Sequence, residues 1–188
     1  FVPTGLGTGN AANRMAVGPD NKLLVNTASN LIVRVGFNGV PETSMLVSNF
    51  TSLAALGVHT NGQIYVIGLT NVYPPNPVLT KLNSDGSPDT NYTSPIFTNS
   101  IPLGQVYFTA MTIQPDGKIL LSGSFTRVDG VQRVGIVRLN SDGTLDNSFV
   151  PGPNGIGTTV PGGLVELNNL VVQPDGKILI ARNGAFRY

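Results

Sequence analysis

One short stretch of sequence occurs four times in this chain, and it constrains the fold more than any other feature. The clearest copy, MTIQPDGKILLSGSF, begins at Met111. The other three are LVVQPDGKILI, MAVGPDNKLLV and LGVHTNGQIYV, which begin at Leu170, Met15 and Leu56. A segment that recurs in this way indicates a repeat architecture, in which each copy is one supersecondary unit packed on its neighbours.

Each copy predicts a β-hairpin with a three-residue loop. Pro115 has the backbone angle that the second position of a type I turn requires, and Gly117 can adopt the left-handed conformation that closes the loop. The first copy has Asn21 in place of that glycine, and asparagine tolerates this conformation better than most residues. A two-residue Asp-Gly turn is the alternative, and it would set Ile113 opposite Leu120.

The three-residue loop also predicts the register of each hairpin. Because side chains alternate along a strand, it aligns two apolar pairs on one face of every copy. The pairs are Met111 with Leu121 and Ile113 with Ile119, Leu170 with Ile180 and Val172 with Ile178, Met15 with Val25 and Val17 with Leu23, and Leu56 with Val66 and Val58 with Ile64.

A second hairpin follows each of the first three copies. The segments RVGFNGVPETSM, KLNSDGSPDTNY and RLNSDGTLDNSF align on a glycine at the end of a three-residue loop. This loop places a basic residue opposite an acidic one, namely Arg34 opposite Glu42, Lys81 opposite Asp89 and Arg138 opposite Asp146. We expect these pairs to be exposed, so that the loss of one costs under about 1 kcal/mol. A ring of cations that binds a ligand is the alternative interpretation.

One repeat unit therefore contains four strands, A to D, with a variable loop between B and C. This loop is short in the first copy, rich in proline in the second and charged in the third, where it spans residues 127–133. Pro41 and Pro88 fall on strand D, and a proline in a sheet belongs at an edge. Strand D is therefore predicted to be the outer strand.

The spacing of the units predicts the architecture. The A/B turns at Asn21, Gly62, Gly117 and Gly176 lie 41, 55 and 59 residues apart. Four-stranded antiparallel units that repeat at this spacing predict an all-β fold made of β-propeller blades. We expect one repeat region over residues 1–188, with blades near 11–50, 52–97 and 104–151 and a partial blade over 164–188.

Composition narrows the possible functions. Only 11% of the residues are charged and the net charge is +1, so we expect neither nucleic-acid binding nor attraction to an anionic membrane. No apolar run reaches the ~20 residues that span a bilayer. The chain has no cysteine and one histidine, His59 at a turn position, which excludes a His-based hydrolase triad and a typical zinc site within it. Few charges with abundant Asn, Thr, Ser and Gly suit a secreted or cell-surface protein.

The Asp-Gly turns of the second hairpins are candidate calcium sites. Their runs of oxygen-bearing residues offer Asp142 and Asp146 in one copy and Asp85 and Asp89 in another. An EF-hand loop needs a bidentate glutamate at its twelfth position, and neither run supplies one. We interpret these aspartates first as turn residues, with calcium binding as the alternative, and we predict no catalytic residue and no cofactor.

The third copy resembles a known repeat. Residues 113–149 contain the QPDGKIL turn, the Gly-Ser-Phe-Thr motif from Gly123 to Thr126, the RLNSDGTLD hairpin and the closing Phe149. Together these resemble the delta-60 repeat of bacterial β-propeller proteins. The first two copies lack Gly-Ser-Phe-Thr. The resemblance implies a propeller of large secreted or surface-anchored bacterial proteins, with no established catalytic activity and no catalytic residues to transfer.

Two functions are compatible with these features. The first is a non-enzymatic scaffold or recognition module, active in adhesion, that binds protein or glycan through its blade loops, because loops on a rigid scaffold commonly carry binding residues. The second is part of a propeller enzyme whose active site lies in blades outside this chain.

The sequence also predicts an incomplete propeller or an arc of a larger one. Blade four is expected to contain strands A and B but neither C nor D, which would leave strand B as an unpaired edge. Phe1-Val-Pro matches Phe149-Val-Pro, the end of a strand D, so a preceding blade is expected to finish there. Further blades are then expected partners, and the apolar outer faces of the first and last blades should be exposed or covered.

Overall fold

The computed structural model describes residues 14–27, 30–47, 50–70, 77–83, 85–100, 105–151, 167–173, 175–182 and 185–187. The regular elements within these ranges are β-strands, which pair antiparallel in five sheets. The described ranges contain no helix, so none is long and apolar enough to cross a membrane. The predicted all-β fold is confirmed.

The described residues contain sixteen strands, four of them in blade one, three in each of blades two to four and three in a small additional sheet. They are β1 (Arg14–Val17), β2 (Leu23–Asn26), β3 (Leu31–Val35), β4 (Pro41–Leu46), β5 (Phe50–Val58), β6 (Ile64–Thr70), β7 (Pro77–Leu82), β8 (Phe97–Thr98), β9 (Phe108–Ile113), β10 (Ile119–Gly123), β11 (Arg127–Val128), β12 (Val131–Gln132), β13 (Ile136–Leu139), β14 (Leu167–Val172), β15 (Ile178–Arg182) and β16 (Ala185–Arg187).

The sheets follow the predicted order from A to D. Blade one has the order β1-β2-β3-β4, with strand D at the outer edge. In blades two and three, strand D is reduced to single bridges, Leu82 with Pro88 and Leu139 with Leu145. Pro88 cannot donate to a longer ladder. In blade three, a turn at Asp146, whose carboxylate accepts from the backbone N–H of Ser148, ends the strand after one bridge.

Blade four corrects the prediction that no third strand follows strand B. Strand β16 pairs with β15, with Arg182 opposite Ala185 and Ile180 opposite Arg187. The intervening sequence is Asn-Gly, a strong signal for a two-residue hairpin turn. Strand β15 is therefore paired on both sides. The predicted match at Phe1-Val-Pro lies outside the described residues.

The predicted register of the A/B hairpins is confirmed in all four copies. In the clearest copy, the Gln114 N–H donates to Lys118 O at 2.8 Å and the Gly117 N–H to Gln114 O at 2.9 Å. Gly117 has φ 83° and Asn21 has φ 59°, so both adopt the left-handed conformation that the loop requires. The turn residues alone therefore determine this register.

The C/D register is confirmed in two blades and wrong in the other. Lys81 faces Asp89 in blade two, and the equivalent pair faces across blade three. In blade one, a β-bulge places Arg34 opposite Thr43 instead of Glu42. Glu42 bonds Lys22 at 2.7 Å and Arg34 pairs with Asp20, while Arg34 Nε stays 3.7 Å from Glu42 Oε2, so the predicted charge pair persists outside the predicted register.

The chain forms two compact units, residues 1–90 and 91–188, and each contains two blades packed face to face. The described core of the first unit joins blades one and two through Leu24, Ile32, Val47, Phe50, Leu53, Leu56, Ile64, Val66 and Leu82. In the second unit, Leu120 and Ile136 of blade three pack with Leu170 of blade four. Blades two and four contribute the predicted apolar pairs to these cores, whereas blades one and three contribute the opposite face of the sheet, with Leu24 and Leu120.

The outer face of blade one is only partly exposed. Val25, Val33 and Val35 are buried on this face, whereas Met15 and Val17 of strand A are 65% and 60% exposed. The exposed apolar side chains of this face therefore lie on both edge strands, since Leu46 of strand D, opposite Leu31, is 63% exposed.

Candidate functional site

Blade three has two chemically different ends. Strands β9 and β10 are joined by the turn at residues 114–118, and β13 is followed by the turn at residues 140–144, so both turns lie at one end of the sheet. We call this the turn end. The segments 96–107 and 123–135 adjoin the opposite ends of the same strands, and we call their described residues the loop end.

Three charged side chains at the turn end are bound to one another. The Asp146 Oδ2 atom accepts from Arg138 Nε at 2.7 Å and from Lys118 Nζ at 2.9 Å. Its Oδ1 atom accepts from the Ser148 hydroxyl at 2.6 Å. The guanidinium of Arg138 also lies 4.9 Å from the ring centroid of Phe149, within reach of a cation–π interaction.

The Asp146 side chain is only 7% exposed, so the expectation of an exposed pair is wrong here. The register brings Lys118 of the A/B turn to the same carboxylate, and two cations cover it. The Ser148 hydroxyl and then the Lys118 ammonium hold the pKa of Asp146 well below its usual range. This carboxylate is a structural anchor.

The calcium candidates are engaged in their own turns. Asp142 Oδ1 accepts from the N–H and the hydroxyl of Thr144, and Asp85 Oδ1 accepts in the same way from Ser87. These bonds lower the pKa of both aspartates, with the hydroxyl bond as the largest cause. Asp89 pairs with Lys81 at 3.1 Å. In the described part of the chain, no group of three histidine, aspartate or glutamate side chains could hold a metal ion.

His59 occupies the predicted turn position. Its N–H donates to Gln63 O at 2.8 Å, and its carbonyl accepts from the Gly62 N–H at 2.9 Å. The residue closes the A/B loop of blade two.

The loop end contains a small sheet that the sequence analysis missed. The segment 127–133, interpreted as a variable loop, forms the hairpin β11–β12, and β8 pairs with β11. Its turn residues Asp129 and Gly130 have φ 48° and 76°, as a two-residue type I′ turn requires. The Asp-Gly pair between two valines is a signal that could have revealed this hairpin.

The Gly-Ser-Phe-Thr motif connects this small sheet to the blade. A Cβ atom at Gly123 would lie 2.2 Å from Tyr107 O, so only glycine fits opposite the bulge in β9. The Ser124 hydroxyl donates to Gln105 O at 2.8 Å and accepts from the Tyr107 N–H at 2.9 Å. Two backbone segments are thus held together by one buried serine.

The last two residues of the motif connect to β8. The Phe125 ring packs against Phe97 and Phe108, with ring centroids 5.5 and 6.0 Å away. The Thr126 N–H donates to Thr98 O at 2.9 Å. The motif therefore carries the contacts that hold the linker before β9 against the B/C loop.

The small sheet has an apolar face and a polar face. The register aligns Phe97, Val128 and Val131, of which the first two are buried. It also aligns Thr98, Arg127 and Gln132, and all three are exposed. We call these three residues the polar row. Their hydroxyl, guanidinium and carboxamide groups stand on adjacent strands about 4.8 Å apart.

Arg133 follows the polar row and is buried, with 8% of its surface exposed. Its Nη1 donates to Gln132 O at 2.9 Å, and Nη2 lies 3.5 Å from Asn147 Oδ1. The buried Nε atom has no hydrogen-bond partner. Neither Arg133 nor Arg127 has a carboxylate partner among the residues that the structure describes. The two arginines of the loop end therefore lack the carboxylate partner that Lys118 and Arg138 have at the turn end.

Two segments, residues 59–92 and 114–149, match the family model described as a domain of unknown function (DUF5122) β-propeller. The chain is built from β-propeller blades. The matched segments lie in the second and third copies of the repeat and cover less than half of the chain. No curated protein sequence matches it.

Three solved structures share the fold. A PQQ-bound aldose sugar dehydrogenase from Streptomyces coelicolor is 17% identical with a TM-score of 0.56, over 91% of this chain and 56% of that one. A putative glucose dehydrogenase from Thermus thermophilus is 16% identical with a TM-score of 0.56, over 94% and 58%. Virginiamycin B lyase from Staphylococcus aureus is 16% identical with a TM-score of 0.51, over 94% and 57%. The chain thus spans just over half the length of each.

Proposed function

We propose that this chain is a non-enzymatic recognition module of a secreted or cell-surface bacterial protein, and that it contacts a protein or glycan through the loop end of blade three. Its repeats are of the delta-60 type. The described blades act as the rigid scaffold, and the polar row carries the binding groups.

One observation carries this proposal. The linker before β9 and the B/C loop join into an ordered sheet whose apolar face is buried and whose polar row is exposed. The buried Gly123 and Ser124 contacts fix this sheet on the blade. A prearranged row of donors and acceptors loses little conformational entropy when a partner binds.

The two ends of blade three differ in the charge that they can offer. At the turn end, Lys118 and Arg138 are bound to Asp146. At the loop end, Arg127 Nη1 donates only to the backbone carbonyl of Gly130 at 2.8 Å. Its guanidinium keeps further donors for a ligand, because it carries five N–H groups.

The test compares two sets of substitutions in the purified chain. The first replaces the polar row, as Thr98→Ala, Arg127→Ala and Gln132→Ala together. The matched control replaces an exposed ion pair in another hairpin, Asp175→Ala with Lys177→Ala. Binding to an array of bacterial and host glycans and of surface-protein ectodomains is measured for each.

We expect the polar-row variant to lose at least about 10-fold in affinity, since it removes charged and neutral hydrogen bonds together. The control should bind as the unmodified chain does. A chain that binds nothing on the array, or a polar-row variant that binds as before, would contradict the proposal. Oxidation of an aldose by the chain with added pyrroloquinoline quinone would favour the enzyme alternative.

A further inference from the structure

We propose that Arg133 binds the carboxylate of an acidic sugar, and that Asn147 covers this site when no ligand is bound. This inference rests on the proposed recognition function and specifies its ligand.

The first argument is the burial of an unpaired charge. Arg133 is more than nine-tenths buried, yet its guanidinium contacts only a backbone carbonyl and, at 3.5 Å, a neutral amide oxygen. Buried charges in proteins are normally paired, because the loss of hydration is otherwise uncompensated. A partner with negative charge is therefore missing from this site in the described chain.

Arg138 of the same blade is a guanidinium whose hydrogen-bond donors and charge have partners. Its Nε donates to Asp146 at 2.7 Å, its Nη2 to the Ser148 hydroxyl at 3.2 Å, and it lies over the Phe149 ring. Both residues belong to one blade and lie five positions apart, Arg138 at the turn end and Arg133 at the loop end. Of these two arginines, Arg138 has a carboxylate partner and Arg133 does not.

The free groups of Arg133 point to a carboxylate as the ligand. Nε has no acceptor, and Nη2 has only the long contact to Asn147. These two atoms form one edge of the guanidinium, which matches the two oxygens of a carboxylate in a bidentate pair. Asn147 is exposed, so its side chain can rotate away and expose this edge.

The surroundings favour a sugar over a peptide as the carrier of that carboxylate. Alternation along β12 places Arg133 on the face opposite the polar row, where its guanidinium contacts the Gln132 carbonyl and the Asn147 carboxamide, both neutral polar groups. Such groups match the hydroxyls of a carbohydrate. The edge strands of the small sheet are β12 and β8, and each has only two residues, which offers little backbone for an added peptide strand.

Two substitutions at Asn147 test this directly, because the residue is exposed and tolerates change. Asn147→Asp supplies a carboxylate from within the chain and should occupy Arg133. Asn147→Ala removes the cover and should leave the site open. The probes are tri-galacturonic acid, its methyl ester, which has the same sugar without the negative charge, and triglutamate, which has carboxylates on a peptide.

We expect tri-galacturonic acid to bind the unmodified chain and the methyl ester not to bind. Asn147→Asp should weaken binding by about 10-fold or more, the loss expected for a charge-assisted hydrogen bond. It should also raise the melting temperature without ligand. Asn147→Ala should bind at least as tightly as the unmodified chain. Arg133→Gln should also lose binding, with circular dichroism to verify that it folds.

Equal binding of the acid by Asn147→Asp and the unmodified chain would overturn the Arg133 site. Binding of triglutamate without tri-galacturonic acid would overturn the sugar assignment. The polar-row variant, titrated in parallel, separates the two proposals. If it binds normally while Asn147→Asp does not, the Arg133 site stands and the polar row does not contribute. If the polar-row variant loses binding while Asn147→Asp binds normally, the role of the polar row stands and the role of Arg133 is rejected.

Discussion

The two ends of blade three use the same residue types for different purposes. At the turn end, Asp146 accepts from two cations and a hydroxyl, and the charges stabilise the hairpins. At the loop end, Arg127 and Arg133 have no carboxylate partner in the described residues. Paired charges fix a fold, whereas unpaired charges on a fixed sheet are available to a ligand.

This difference depends on how each end is built. The turns of the turn end close by backbone hydrogen bonds between residues within five positions of each other, and the Lys118–Asp146 ion pair joins two of these turns. The loop end joins segments about thirty residues apart, such as Phe97 and Val128, through the Gly-Ser-Phe-Thr motif. The groups that we propose for recognition thus lie in a sheet that forms only through contacts between distant segments of the chain.

The largest expected effect is at the connection between the loop end and the blade. Gly123→Ala should destabilise the protein by about 3 kcal/mol, because its Cβ would meet a backbone carbonyl at 2.2 Å that cannot move freely. The matched control is Gly62→Ala, where nothing lies within 4 Å and only the positive φ opposes the change, at about 1–2 kcal/mol. Urea denaturation of both variants measures the difference, and equal losses would contradict the role assigned to Gly123.

At the turn end, burial should separate two ion pairs that the sequence makes equivalent. Asp146→Ala should cost about 2 kcal/mol, since it removes a nearly buried acceptor from charged and neutral donors. Glu42→Ala should cost under about 1 kcal/mol, because that carboxylate is 38% exposed. Equal free energies of unfolding for the two variants would show that burial does not decide the value of these pairs.

The same carboxylate should make stability depend on pH. The folded-state pKa of Asp146 is lowered, so its contribution is present above the unfolded pKa, near 4, and is lost as the pH falls towards the folded pKa. The difference in unfolding free energy between the unmodified chain and Asp146→Asn should be constant from pH 7 to pH 5 and shrink below about pH 4. A difference that stays constant down to pH 2 would reject this assignment.

A smaller effect is expected at the turn of the small sheet. Asp129 has φ 48°, and its Oδ1 accepts from the Ile96 N–H at 2.8 Å. Asp129→Ala should cost about 1 kcal/mol through the lost hydrogen bond and the left-handed backbone. Asp129→Asn should cost less, since asparagine keeps an acceptor and tolerates this backbone. If both variants melt alike, the side chain of Asp129 does not hold β8 against the hairpin.

No effect is expected from calcium. Asp142 is engaged with Thr144, and Asp146 with Lys118 and Arg138. Added calcium should therefore leave the melting temperature unchanged. A rise of several degrees that disappears in Asp142→Ala would show that the turn binds the ion after all.

The sequence by itself determined the repeat, the A/B hairpins and their register. Pro115 and Gly117, or Asn21 in the first copy, set the backbone angles of a loop that spans three residues. Once such a loop is closed, every later pair along the two strands follows from it. The pairing of charges across the C/D hairpins of blades two and three was predicted for the same reason.

Only the tertiary structure decided how those residues are used. It introduced the bulge at Glu42 and brought Lys22 and Asp20 to the charged side chains of that hairpin. It also buried Asp146, because Lys118 reaches across from another turn. These outcomes depend on which side chains meet across the sheet, which loop residues alone do not specify.

Almost all of the candidate site was decided by the tertiary structure and not by local sequence. Sequence patterns marked residues 127–133 as a variable charged loop, although Asp129-Gly130 within it indicates a tight turn. The capture of Phe97 and Thr98 by this hairpin, and the burial of Arg133 without a carboxylate, required contacts between segments far apart in the chain. Local propensity sets backbone angles over a few residues, whereas burial and charge pairing are set by packing between segments, so the structure was needed to find the site.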